Sequence, residues 1–178
     1  AIAIDASYNT SEFSMNFTTI AGATSEILRP IGVGSTTGMS QFPATGSNWD
    51  KVDEVIEDSD GTYVYANSTA YDLYATSDHT GSGTINSVTI HMLIAREGSG
   101  PTGGYTMLRT EGTDYQGASH FTNSTQPNYE EFTEVYTNNP STLLPWTWTQ
   151  VDAMEIGVRR GMGPLRVTQV YAVVDYTP

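Results

Sequence analysis

The run Thr84-Ile85-Asn86-Ser87-Val88-Thr89-Ile90-His91-Met92-Leu93-Ile94-Ala95-Arg96 decides the fold class. Val88, Ile90, Met92 and Ile94 fall on one side of an extended chain, and Thr89 and His91 fall on the other. That period of two belongs to a β-strand with one buried face. Shorter stretches repeat the pattern on both sides of it. Phe13, Met15 and Phe17 alternate with Ser14 and Asn16, and Glu26-Ile27-Leu28-Arg29-Pro30 reads as a short strand stopped by proline. Trp49 to Val55 and Thr62 to Ala66 flank an acidic turn. Gly104 to Thr110, Tyr129 to Thr137, Met154 to Arg159 and Arg166 to Tyr176 complete the set. Short strands punctuated by Gly, Pro, Asn and Ser predict a sandwich. The expected fold is all-β: a jelly-roll-like antiparallel β-sandwich with one short helical turn and an N-terminal strand arm. Thr149 is the expected cap of that turn, with Asp152 completing a box three residues on. The Gly32 to Gly46 stretch reads as a long loop.

The chain has 178 residues and a mass of 19.3 kDa, a single domain's worth of sequence. The division expected is 1–23 as an N-terminal arm, a candidate donor strand, and 24–178 as the sandwich. The arm carries its own apolar residues, Ile2, Ile4, Phe13, Met15 and Phe17, and a lone strand cannot bury them. They must lie on this sandwich or on a neighbouring subunit's, so they are the candidate subunit-interface residues. The chain starts Ala1-Ile2-Ala3, which fits either a cleaved leader or a trimmed methionine.

There is no cysteine, which removes disulfides, thiolate metal sites and a cysteine nucleophile. The formal net charge is −13. Nucleic-acid binding, which needs many cations on phosphates, is disfavoured, as is attachment to an anionic membrane. No apolar run reaches the ~20 residues of a membrane span.

Few motifs carry chemistry. Asp53 and the Asp58-Ser59-Asp60-Gly61 turn form the densest acidic cluster, so Asp53, Asp58 and Asp60 are the candidate ligands for Ca²⁺, which takes carboxylate and carbonyl oxygens. Thr69 occupies the slot where an EF-hand has its glutamate, so the loop is not an EF-hand, and a solvated hairpin turn accounts for the same residues. Asn9, Asn16, Asn67 and Asn123 match the N-glycosylation pattern. Trp49 and Trp148 are candidate sugar-stacking rings, with packing as the other reading. His79, His91 and His120 lack zinc spacing and read as single surface histidines. Glu130 and Glu134 share a strand face as two carboxylates of a glycosidase would, but exposed acids on a strand look the same.

Several phrases occur together in order: Leu28-Arg29-Pro30 before a Gly-rich stretch, Val52-Asp53-Glu54, Asp58-Ser59-Asp60-Gly61-Thr62-Tyr63-Val64, Asp72-Leu73-Tyr74, Thr84-Ile85-Asn86-Ser87-Val88, Asn139-Pro140 with Trp146-Thr147, Glu155-Ile156-Gly157-Val158 and Val167-Thr168-Gln169-Val170-Tyr171. From about Ile27 to Tyr176 the chain resembles an uncharacterised jelly-roll-like family of archaeal cell-surface proteins and tailed-virus structural proteins. The resemblance implies a non-enzymatic role with no catalytic residues. The functional expectation is a structural subunit of an extracellular assembly, a pilus-like surface filament linked by N-terminal strand donation. The alternatives are a virion protein, as capsid decoration or tail component, and a glycan-binding adhesin module. The expected partner is a second copy of the chain, with glycans as the other candidate. The expected location is extracellular, at the cell surface or in a virion.

Overall fold

A computed structural model describes residues 22–178. The expected interface residues Ile2, Ile4, Phe13, Met15 and Phe17, and the sequons at Asn9 and Asn16, lie outside the described residues. The strands are β1 (Thr24–Leu28), β2 (Pro30–Thr37), β3 (Ser40–Phe42), β4 (Tyr63–Ala66), β5 (Tyr71–Thr76), β6 (Thr84–Arg96), β7 (Thr102–Thr110), β8 (Thr113–Gln116), β9 (His120–Thr122), β10 (Glu130–Tyr136), β11 (Glu155–Met162) and β12 (Leu165–Thr177). A 3-10 turn covers Asn48–Lys51, and one short helix, α1, covers Trp148–Asp152. The first sheet runs β10-β6-β12-β4-β3, with β1 also on β12; the second runs β2-β5-β11-β7-β8, with β9 on β7. All strand pairs within them are antiparallel. The chain is an all-β sandwich.

The core lies between the sheets. Val88, Ile90, Met92 and Ile94 of β6 are fully buried, as the alternation requires. On β12 the buried set changes parity, from Leu165 and Val167 to Val170, Ala172 and Val174. A bulge between Val167 and Gln169 absorbs the extra residue. Thr168 and Gln169 are thereby turned to the loop that follows the 3-10 turn. Thr168 Oγ1 stands 3.0 Å from the Ser59 carbonyl, and Gln169 Nε2 donates to the Glu54 carbonyl.

Asp72 sits at core parity on β5, fully buried. Its carboxylate accepts from Gly38 N at 2.7 Å, Met39 N at 2.8 Å, Asn48 Nδ2 at 2.5 Å and the Tyr74 hydroxyl at 3.0 Å. Gly38 and Met39 form the connection by which the chain leaves β2 in the second sheet for β3 in the first. Burial, followed by the neighbouring carboxylate, pushes the Tyr74 phenol well above its ordinary pKa.

Four local expectations are corrected. Pro30 opens β2 instead of ending the extended run. The Gly32 to Gly46 stretch contains β2 and β3, and its glycines serve close packing: a Cβ on Gly34 would lie 2.4 Å from the Leu73 carbonyl oxygen. Trp49 belongs to the 3-10 turn and no strand spans 49–55. The helix is capped by Thr147, whose side chain accepts from Gln150 N while Gln150 Oε1 accepts from Thr147 N, so the box lies two residues upstream of the expected one.

Two substitutions test this framework. Asp72→Ala leaves buried N–H and O–H donors unpaired and is expected to cost about 3 kcal/mol or more, a fall of roughly 6–12 °C in the thermal midpoint. A Cβ on Gly157, in the centre of β11, would lie 1.9 Å from the Asp72 carbonyl oxygen. Gly157→Ala is therefore expected to lower the urea midpoint by forcing β5 and β11 apart.

Candidate functional site

The outer face of the second sheet gathers polar side chains around a hollow. Alternation on β5 sends Asp72, Tyr74 and Thr76 inward, leaving Tyr71, Leu73 and Ala75 on the outer face. The register places Tyr71, Arg159 and Tyr105 side by side across β5, β11 and β7, and places Leu73, Gly157, Met107 and Gln116 in the next row. Leu73 and Met107 are almost wholly buried despite facing outward, so other side chains of the face roof them over. Tyr71 supplies part of that roof. Its hydroxyl stands 3.2 Å from Asp114 Oδ2 and 3.4 Å from Thr36 Oγ1. Asp114 lies on β8, three strand spacings from β5, or roughly 14 Å along a flat sheet. The phenol must therefore lie across the face to reach it.

The hollow has a volume of about 340 Å³ and is lined by Thr36, Gly38, Thr69, Ala70, Tyr71 and Arg159. Arg159 Nη1 donates to Gln116 Oε1 at 2.8 Å. Among the described residues no carboxylate stands within ion-pair distance of this guanidinium. Arg109, on the same face, is paired with Asp114, whose hydrogen bond holds it above its ordinary pKa. Glu155 is tied to β2 by the Ser35 amide at 2.7 Å and hydroxyl at 2.6 Å. Among the described residues one cation of the face therefore has no acidic partner, and it borders the hollow.

The other candidates are dispersed. Asp58 is exposed; its Oδ1 stands 3.3 Å from Thr62 N and 3.3 Å from Thr168 Oγ1. Asp60 turns to Arg166 at 3.2 Å and the Tyr129 hydroxyl at 2.8 Å. Asp53 is half-buried, and burial raises its pKa. Glu54, raised by burial as well, accepts from Thr62. No group of three or more His, Asp or Glu side chains is arranged to hold a metal among the described residues. Asn67 and Asn123 are exposed, at a bend after β4 and just beyond β9. Trp49 and Trp148 are partly buried against the core, in separate elements, and Trp148 Nε1 donates to the Gly83 carbonyl. No described helix is long and apolar enough to cross a membrane.

The histidines are less solitary than their spacing suggests. His79 is held by Asp152, at 3.0 Å from its amide and 2.6 Å from Nδ1, and stacks on Trp148 at 4.5 Å. His91 Nδ1 lies 2.8 Å from Glu131 Oε1 and its ring stacks on Tyr171 at 4.3 Å. The Tyr171 hydroxyl donates to the same oxygen at 2.6 Å; burial and that bond push the phenol up to about 12. His120 packs against Phe132.

No family model and no curated protein matches the chain. It is similar to solved structures from Fischerella sp. TAU. One is the Stig cyclase Fisc in complex with (3Z)-3-(1-methyl-2-pyrrolidinylidene)-3H-indole, at 9 % identity and a TM-score of 0.40 over 94 % of this chain and 82 % of that one. Another is a cyclase, at 10 % identity and 0.40 over 92 % and 80 %. These are enzymes, and neither is an archaeal surface protein or a virion component. The expected non-enzymatic, pilus-like filament subunit linked by strand donation, with its virion and adhesin alternatives, finds no counterpart among these neighbours and is set aside. A TM-score of 0.40 assigns this chain no activity, so the functional reading below rests on the sheet face alone.

The hollow's residues escaped the sequence reading. Tyr71 is a common β-former and Arg159 is one of seven bases, so neither stands out in the sequence. The available signal was Arg159-Arg160 inside a strand of so acidic a chain.

The carboxylates beside the histidines give a pH prediction. Burial pushes Asp152 and Glu131 up, but their hydrogen bonds, to His79 for Asp152 and to Tyr171 and His91 for Glu131, together with the attraction of each histidine, carry both below the ordinary carboxylate values. Stability from such groups is complete above the unfolded value, about pH 4, and is lost as pH falls through the lowered folded values. Urea midpoints measured from pH 6 downward should decline over that acid window. Asp152→Asn and Glu131→Gln should each flatten the decline.

Proposed function

We propose that this chain is a small-molecule-binding β-sandwich whose hollow on the second sheet takes an organic anion, with Arg159 as the recognition cation. The Arg159 guanidinium at the edge of the hollow, with no acidic partner among the described residues, carries this reading. In a chain with twenty acids and seven bases, an arginine held by a neutral amide keeps its charge available to a ligand. A guanidinium presents a planar fork that suits a carboxylate or another oxyanion. The Thr36 and Thr69 hydroxyls add polar contacts, and Ala70 with the Tyr71 ring adds apolar ones, the mixture expected of a ligand site. The volume suits a small metabolite.

The Tyr71–Asp114 pair gives the site a means of moving a proton. A phenol hydrogen-bonded to a carboxylate passes its proton to the carboxylate as it takes one from a bound ligand, and the reverse steps return it. The pair is positioned by β5 and β8 of one sheet, and the proposed reaction class is acid–base conversion of the bound anion.

The test is a binding titration with benzoate, succinate, pyruvate and inorganic phosphate, followed by amide chemical shifts. At least one probe should bind and move the signals of Tyr71 and Arg159. Arg159→Ala should weaken it about 10–100-fold, the value of a charge-assisted contact. Deuterium wash-in from solvent at the pyruvate methyl group should slow in Tyr71→Phe while binding persists. Failure of every probe to bind, or equal binding by Arg159→Ala, would sink the reading.

A further inference from the structure

The outer face of the second sheet continues past the hollow. Along β11 a bulge between Arg160 and Met162 breaks the alternation, so Met162 pairs with Gly103 and shares its face. Gly103 also pairs with Phe121 of β9. The face therefore carries two successive rows: Tyr71, Arg159 and Tyr105, then Met162, Gly103 and Phe121. A Cβ on Gly103 would lie 2.6 Å from Phe121 Cδ1, so the ring lies over the glycine. A Cβ on Gly161 would lie 2.9 Å from Tyr105 Cε2, so the Tyr105 ring leans towards the second row. Phe121 is 55 % exposed and Met162 42 %, and with Tyr105 they form an apolar ledge. Arg160 N donates to the Ala70 carbonyl at 2.9 Å, so the end of β11 that carries Met162 runs beside the Thr69–Ala70 wall of the hollow. The Arg160 side chain turns to the Gly163 carbonyl, and Arg159 stands at the junction of hollow and ledge. In a chain with twenty acids, none of the six residues in these rows is acidic. Scattered exposed apolar side chains need no explanation, but apolar side chains gathered beside a guanidinium do.

We infer that the ligand of this site is an amphipathic monocarboxylate, its head on Arg159 and its hydrocarbon body laid over Tyr105, Met162 and Phe121. Arg159 plays the part proposed for it above, on which this inference rests, and the ledge adds the class of anion. The guanidinium fork matches one carboxylate. A second negative charge on the ligand would be repelled by a chain of net charge −13. The lengths agree as well. Successive rows on one face of a strand lie about 7 Å apart, and the ledge crosses two strand spacings, about 10 Å. A straight chain of about eight carbons covers such a distance with C–C bonds of ordinary length. A second copy of this chain is a poorer occupant. It would bring −13 against −13, and two exposed side chains offer far less apolar area than a stable interface buries.

The experiment titrates the full chain with straight-chain carboxylates from propionate to decanoate, each below its micelle concentration, and follows amide chemical shifts. Affinity should rise about fourfold for each methylene the ledge covers and level off once it is full. Octanol, which lacks the charge, should bind at least tenfold more weakly than octanoate. Met162→Ser with Phe121→Ser should flatten the series and leave propionate binding unchanged. Met162→Ser alone, which keeps the Phe121 ring over Gly103, should lower octanoate affinity at least threefold and decides the matter if the double variant folds poorly. Val135→Ser removes an equally exposed side chain from the outer face of the other sheet and should leave the series as it is. Arg159-dependent binding that does not grow with chain length overturns this inference alone and leaves the anion site standing. Octanoate bound equally well by Arg159→Ala, or no binding by any member, overturns both. A chain-length gain that survives the ledge substitutions overturns the inference, as does ligand-free self-association that Met162→Ser abolishes, which would assign the ledge to a second copy.

Discussion

The buried carboxylate of Asp72 ties together the β2–β3 crossing, the 3-10 turn and β5. A polar group in an apolar core is unfavourable unless it is hydrogen-bonded, and here backbone amides, an asparagine amide and a phenol donate to the carboxylate. The four donors come from three places: two from the crossing between β2 and β3, one from the 3-10 turn and one from β5 itself. Satisfying one side chain therefore fixes how the chain changes sheets. It also fixes the hollow, because Gly38 lines the hollow and Tyr71 is the residue immediately before Asp72 on β5. Core parity at 72 dictates outward parity at 71. The buried carboxylate and the outer phenol are two consequences of one register.

A similar economy operates on β12. One extra residue between Val167 and Gln169 switches which side chains face the core, and the polar side chains it releases hold the acidic loop against the sheet. That loop has few cations to neutralise it. Arg166 meets Asp60 and Glu97, and its guanidinium also lies over the Tyr63 ring at 4.3 Å. With so many acids, most carboxylates are satisfied by hydroxyls and amides, as Glu26 is by Thr80 and Gly81 and Glu155 by Ser35. The abundance of serine and threonine is the chemical complement of the missing lysines.

What the sequence makes legible follows from period and parity. The β6 strand is readable to the residue because its apolar face is unbroken and both ends are polar. β2 is not, because glycines at 32 and 34 hide its period, and their lack of a side chain matters only once β5 lies against them. β8 and β9 are too short to show a period. Asp72 is visible as a charged residue inside a run of β-formers, but its role depends on amides 33 and 34 residues earlier in the chain. The hollow is less legible still. Tyr71, Asp114 and Arg159 belong to separate strands, and nothing in their local sequence indicates that a phenol will lie over the intervening strands. The helix cap was misplaced for a smaller reason: both Thr147 and Thr149 have a suitable residue three positions on, and the amide of Gln150 reaches back where Asp152 is already engaged by His79.

The two arginines of the outer face show how such a surface separates structural from available charge. Arg109 faces Asp114 across the β7–β8 hairpin, a pairing set by the tight turn at Glu111 and Gly112, both in the left-handed region that a two-residue hairpin loop demands. Arg159 sits on β11, whose register neighbours on either side are tyrosines. Among the described residues no acid pairs with it, and Asp114 is engaged by Arg109 and the Tyr71 hydroxyl. Strand order thus commits one guanidinium to the fold and leaves the other its charge, at the rim of the hollow and beside a phenol already bonded to a carboxylate. A ligand bound there would meet a cation and a proton donor held by different strands of one sheet, so the geometry between them is set by the register of the sheet and does not depend on a mobile loop.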